Sequence, residues 1–169
     1  MNFLPVVIRV IDSHTAGATT RLVASGGPPL AGATMESRLA DFQANHAPWR
    51  GALTGAPRCA PGTVGAILTE PEHPGSLAGV LLFDAEGPLA PQRRFGATVG
   101  VIASLAHLGK LRPGPLRLDT PTGSIGAAFA LDGSVSLDGE PETARAHVLL
   151  DGTMVVEADD PYGWGMPPA

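Results

Sequence analysis

The chain has 169 residues, a formal net charge of −5 and a hydrophobic fraction of 44%, enough for one domain with a real core. Its basic residues are scattered apart from one adjacent pair, which argues against the basic face that nucleic acid or an anionic membrane surface requires. A single cysteine, Cys59, excludes an internal disulfide and any zinc site built on several thiolates.

The opening stretch, MNFLPVVIRV, lacks a charged leader, and Arg9 interrupts its apolar run. No membrane span is long enough, so a soluble cytoplasmic protein is the expectation. Strand-like runs follow at Leu4–Asp12, Thr19–Ser25, Thr63–Glu70 and Leu77–Asp84, each bounded by Gly, Pro or Asp. Further runs (PLRLDTP, GSIGAAFAL, SVSLD, TARAHVLL and TMVVEA) are punctuated by Asp-Gly turns at Asp132–Gly133, Asp138–Gly139 and Asp151–Gly152. Their spacing predicts a curled antiparallel sheet or barrel.

Two helices interrupt the strands. The first is predicted over Met35–Gln43, with Thr34 as N-cap and Met35, Leu39 and Phe42 on one face. The second is predicted over Ala97–Leu108, closed by Gly109 and Lys110. It is apolar nearly all round, so it must be enclosed on every side, and a sheet wrapped around it would do this. No linker or internal repeat divides the chain, so residues 1–169 are read as one unit of α+β class.

Arg93 and Arg94 stand just ahead of this second helix, in PQRRFGATVG. A helix N-terminus already carries about half a positive charge. Two more positive charges there either build an anion pocket with the free N–H groups or are solvated and paired with nearby acids. Asp84 and Glu86 are such acids.

His14, in SHTAG, is the best single proton-transfer candidate by its ordinary pKa; the alternative is a ring that hydrogen-bonds the turn backbone. Asp159, Asp160 and Tyr162, in ADDPYGWG, could serve as base or pair with Arg94 if the tail folds back, or could form a solvated turn. The five histidines lie far apart, so no metal site is expected. No glycine cluster has phosphate-loop spacing, and no cofactor is expected.

The string IDSHTAGATTRLV (Ile11–Val23) resembles the opening motif of the proline racemase and hydroxyproline epimerase family, D-S-H-T-G-G-E-P-T-R-V-V. Asp12, Ser13, His14, Thr15, Gly17, Thr20 and Arg21 match; Ala18 stands where the family has glutamate. APWRGALTGAPRC, VGAILTEP, AGVLLFDAEG, FGATVGVIASLAHLGKL, LDTPTGSI and VVEADDPYGWG continue the likeness in order. The resemblance implies a diaminopimelate-epimerase-like lobe, a barrel-like antiparallel-rich sheet around a central apolar helix. It covers only the first of the two lobes that family members have.

The family's chemistry is a two-thiol relay, with one cysteine at the start of each central helix, where the dipole favours the thiolate. Placing Gly100 on the last glycine of the family's M-C-G-H-G-T-I-G puts Arg94 at the cysteine position. Phe95 and Gly96 then take the places of the following Gly and His, and Ala60 that of a second histidine. By the same likeness Arg93, Phe95, Gly96, Ala97 and Thr98 are candidate substrate-binding residues, and Arg94, His14, Asp160 and Tyr162 candidate catalytic ones. A guanidinium cannot act as a base near neutral pH, so the two-thiol route is excluded on this alignment.

The expected function is therefore a racemase-like enzyme of isomerase, cyclase or lyase type, acting on a small anionic or carbonyl-bearing metabolite, possible also in specialised biosynthesis. A catalytically silent ligand-binding protein and a structural partner lobe for another protein are the alternatives. Half an architecture leaves apolar surface to cover, so a homodimer is expected.

Overall fold

Eight strands close into a barrel around one helix, and two further helices cover part of the outside. The computed structural model describes residues 4–167. Met1–Phe3, the start of the segment read above for a leader, lie outside the described residues, as do Pro168 and Ala169. The strands are β1 (Val6–Thr15), β2 (Ala18–Ser25), β3 (Val64–Thr69), β4 (Ala78–Phe83), β5 (Gly114–Thr120), β6 (Gly123–Phe129), β7 (Ser134–Leu137) and β8 (Thr143–Val156). The helices are α1 (Met35–Asn45), α2 (Ala47–Thr54) and α3 (Pro91–His107).

Strands pair in chain order, and β8 returns to β1 to close the barrel. Pairs β2–β3 and β4–β5 are parallel; the others are antiparallel. The barrel is thus antiparallel-rich but mixed, because helices carry the chain across at both parallel joins, as parallel neighbours require. The β4–β5 join is short, pairing only Ala78 with Leu118 and Gly79 with Asp119. Beyond it no pairing joins the two strands, which leaves a gap in the hydrogen-bonded ladder.

Two cores result. The inner one surrounds α3 and joins Val99, Val101, Ile102 and Leu105 to Ile11, Leu22, Val80 and Leu118. The outer one lies under α1 and α2 and joins Met35, Phe42 and Leu53 to Ile8, Val10, Ile67 and Leu81. Strands β1, β3 and β4 face both cores, which is why they read as continuous apolar runs rather than alternating ones. At Gly100, α3 approaches the wall so closely that a Cβ would sit 2.8 Å from Ser13 Oγ and 3.1 Å from Thr20 Cβ. Only glycine fits there.

Three differences from the sequence expectations stand out. Helix α3 begins at Pro91, not Ala97. Proline at the first helical position gives up only an N–H that has no partner there, so Arg93 and Arg94 lie inside the first turn rather than ahead of it. Helix α2 occupies a stretch assigned to no element, where Pro48, Gly51 and Gly55 mask a helix that carries proline in its first turn. Strand β1 runs on to Thr15, past the predicted Asp12. The predicted Thr34 cap of α1 is present, with Thr34 Oγ1 accepting the N–H of Ser37 at 3.1 Å. Among the described residues no helix is long and apolar enough to cross a membrane.

Candidate functional site

The first turn of α3 separates its two arginines. Arg93 donates through Nη1 to Asp84 Oδ2 at 2.5 Å and through Nη2 to Gly62 O. Its charge is matched, as one of the two sequence readings had it. Among the described residues Arg94 meets no carboxylate. It donates to Leu89 O and to Thr122 Oγ1, both at 3.3 Å, long enough to leave both bonds weak.

Arg94 lines a cavity of about 110 Å³ set into the gap between β4 and β5. Val80 and Leu82 of β4, Pro88 and Leu89 from the loop before α3, Leu39 of α1, and Pro121 and Ile125 supply apolar walls. Thr98, Thr120 and Thr122 supply hydroxyls. The Thr98 hydroxyl donates to Arg94 O at 2.7 Å, and that of Thr120 to Gly123 O at 2.6 Å. Arg94 is the sole charged group in the lining.

The wall that carries Thr120 is pinned by its neighbour Asp119, which is 1% exposed. This carboxylate accepts the N–H groups of Glu72 and His73 at 2.8 and 2.9 Å, and the hydroxyls of Ser76 and Ser124 at 2.8 and 2.6 Å. The His73 ring lies 3.2 Å away. Burial pushes the Asp119 carboxyl up, but the bonds from Ser124, His73 and Ser76 outweigh it and hold the group far below the ordinary carboxylate range.

Of the residues named from sequence, Arg94 and Thr98 share the cavity. The rest are placed elsewhere. Ala97 is buried against Val64 and Leu89, Phe95 packs on the inner core, and Gly96 offers its carbonyl to Thr15 Oγ1 at 2.9 Å. Arg93, Phe95, Gly96 and Ala97, read from sequence as substrate-binding, lie outside the lining of this cavity. With α3 starting earlier, they face inward or sideways.

At His14 the ring bonds the turn backbone, the second of its two sequence readings. Gly17 N–H donates to its Nδ1 at 3.1 Å, which leaves the proton of the neutral ring on Nε2. Ser13 and Thr15 reach α3, so His14 between them faces the other side of β1. There it stacks on His147, ring centroids 5.5 Å apart.

Asp160 and Tyr162 do not reach Arg94. Asp160 accepts the N–H of Tyr162 at 2.8 Å in a local turn, and the segment then docks on α2, where Trp164 meets Trp49 edge-on at 5.2 Å. Arg58 clamps this tail by donating to Gly163 O and Val155 O.

Cys59 lies in neither the cavity nor a helix start. Its Sγ accepts from Arg21 at 2.9 Å and donates to Leu53 O at 3.0 Å. Arg21 itself is held by a bidentate pair to Asp12, both bonds 2.8 Å. Burial pushes the Cys59 thiol up, against the pull of Arg21. Among the described residues no three His, Cys, Asp or Glu side chains gather as a metal site.

Sequence reasoning missed Thr120, Pro121 and Thr122. The signal was the string LDTPTGSI, which continued the family likeness but gave its hydroxyls no role.

Known proteins give this arrangement a family. The chain is 42% identical over 161 residues to a 4-hydroxyproline 2-epimerase of Chromobacterium violaceum, covering 94% of this chain and 51% of that protein. A 4-hydroxyproline 2-epimerase of Pseudomonas aeruginosa is 42% identical over 159 residues, covering 94% and 50%. Among solved structures, a hydroxyproline epimerase of Agrobacterium vitis with bound trans-4-OH-L-proline superposes with a TM-score of 0.70 at 19% identity, covering 78% of this chain and 41% of that one. A probable proline racemase of Agrobacterium radiobacter K84 with bound carbonate gives 0.69 at 21%, covering 77% and 41%; both likenesses speak to the fold. The chain spans about half the length of the curated relatives it matches. Since the sequence model described as proline racemase also matches residues 10–142, this chain belongs to the proline racemase family.

Proposed function

We propose that the chain holds a small carboxylate- or carbonyl-bearing metabolite at Arg94 and acts on it as an enzyme of isomerase, cyclase or lyase type without a thiol relay. The observation that carries this reading is the guanidinium of Arg94, turned into an apolar cavity without a carboxylate partner. Epimerases among the relatives support chemistry of the isomerase class. A two-thiol mechanism has no support in these residues, because Cys59 is the single cysteine and is bound to Arg21 and Leu53. What Arg94 can supply is electrostatic stabilisation of a carboxylate or of enolate charge developing in a water-poor site.

A second reading has its own observation. No lining residue other than Arg94 carries a titratable side chain, so the cavity by itself offers no base, and this favours a ligand-binding protein without turnover.

The two are separated by incubating candidate metabolites with wild type and with Arg94→Ala. Turnover that is lost in the variant supports the enzyme. Ligand-induced stabilisation without turnover supports the binder.

The chain is further proposed to act as one lobe that pairs with a second copy. The middle of β8 supports this, with Val148, Leu149 and Leu150 all exposed in sequence.

A further inference from the structure

Resting on the cavity reading above, we infer that the site at Arg94 takes a compact carboxylic acid with an apolar ring or branched body and no amino group, and that it turns away zwitterionic amino and imino acids. The charge balance of the lining carries this. One guanidinium faces the cavity, and no aspartate or glutamate does. A carboxylate therefore finds its counter-ion, while an ammonium on the same ligand finds a like charge.

The acids near the cavity in sequence are already occupied. Asp84 is paired with Arg93 and also accepts the N–H groups of Glu86 and Gly87 at 2.9 and 3.2 Å. Glu86 is exposed in that turn and is not part of the lining. Asp119, next to Thr120, spends its oxygens on Glu72, His73, Ser76 and Ser124. No acid stands in the first turn of α3 either. The remaining acceptors are threonine oxygens and the Leu89 carbonyl, which carry no charge. A cation in an apolar site without an anion is strongly disfavoured, and Arg94 adds repulsion.

The walls fix the rest of the ligand. Leu82, Pro88, Leu89, Pro121 and Ile125 present carbon to it. At about 110 Å³ the space is small beside the roughly 300–1,000 Å³ of common ligand pockets. This selects a five- or six-atom body over an extended chain. The inference sets this chain apart from the Agrobacterium vitis protein, whose structure holds trans-4-OH-L-proline.

The test is calorimetric titration of the intact chain with cyclopentanecarboxylate, L-proline and D-proline, repeated on Arg94→Gln. Methyl NMR of Leu82 and Ile125 serves as a second readout that reports the cavity directly and shows that the variant is folded. The expected result is cyclopentanecarboxylate bound at least tenfold more tightly than either proline, with at least a tenfold loss in Arg94→Gln and methyl shifts confined to the cavity. Proline bound as tightly as cyclopentanecarboxylate, and lost in Arg94→Gln, overturns the exclusion of amines while the cavity reading stands. Cyclopentanecarboxylate bound equally by wild type and Arg94→Gln, or no binding of any probe, overturns both.

Discussion

Arg93 and Asp84 close an ion pair across the turn that leads into α3, and this leaves the adjacent Arg94 as the uncompensated cation of the cavity. Two neighbouring arginines thus have opposite assignments, and substitution separates them. Arg93→Gln is expected to cost about 1 kcal/mol or less, since the pair is partly exposed. Its carboxylate affinity should stay within about twofold of wild type, against the tenfold loss expected of Arg94→Gln, which is about 1.4 kcal/mol. Urea unfolding and the titration described above measure both. Equal losses of affinity in the two variants would remove the distinction.

Asp119 provides a pH test of how the cavity wall is held. Its carboxyl is depressed on folding, so its contribution is complete above the unfolded pKa and is lost as the pH falls through the folded value. Asp119→Asn is expected to lose about 3 kcal/mol at pH 7, the scale for breaking several buried charge-assisted bonds. The gap between wild type and variant should narrow from about pH 4 downward. Urea unfolding between pH 3 and pH 7 measures it, and a gap that stays constant over that range counts against the assigned role.

Much of this fold was legible because its signals are local. The runs at β1 to β4 and the Thr34 cap announce themselves in sequence, and the all-round apolar character of Ala97–Leu105 demands enclosure. The site was less legible because it depends on contacts distant in sequence. That Arg93 points to Asp84 and Arg94 to Thr122 follows from where α3 starts, and Pro91 hid that start behind two arginines. The tail residues Asp160 and Tyr162 follow the turn reading for a related reason. Trp49 and Trp164 form the contact that places them, and nothing in the local sequence pairs those two rings.

Cys59 gives a prediction about reactivity. Its thiol is raised on burial despite Arg21, and the thiolate is the reactive form. Alkylation by iodoacetamide is expected to be slower than that of a free thiol at pH 8, and to keep rising with pH beyond about pH 8.5, where an ordinary cysteine begins to level off. The variant Cys59→Ser should bind cyclopentanecarboxylate as wild type does, because the thiol is not part of the cavity lining. Fast labelling at pH 7, or loss of binding in the variant, would return the thiol to the candidate site.

The exposed centre of β8 carries the proposal that two copies pair. Pairing with β7 ends at Arg145, while pairing with β1 continues from Ala146 to Val156. One edge of β8 therefore lacks a strand partner just where Val148, Leu149 and Leu150 stand exposed, Leu149 by 59%. A free edge with apolar side chains is a template for another chain. The register shift between Asp12 and Ser13 leaves Leu149 as the extra residue, pushed outward where a two-fold partner can pack on it. Wild type is expected to sediment as a dimer at micromolar concentration. Leu149→Lys should be monomeric with an unchanged circular dichroism spectrum, because the side chain supports nothing within its own chain. A wild-type monomer, or a Leu149→Lys dimer of undiminished affinity, would place the partner surface elsewhere or remove it.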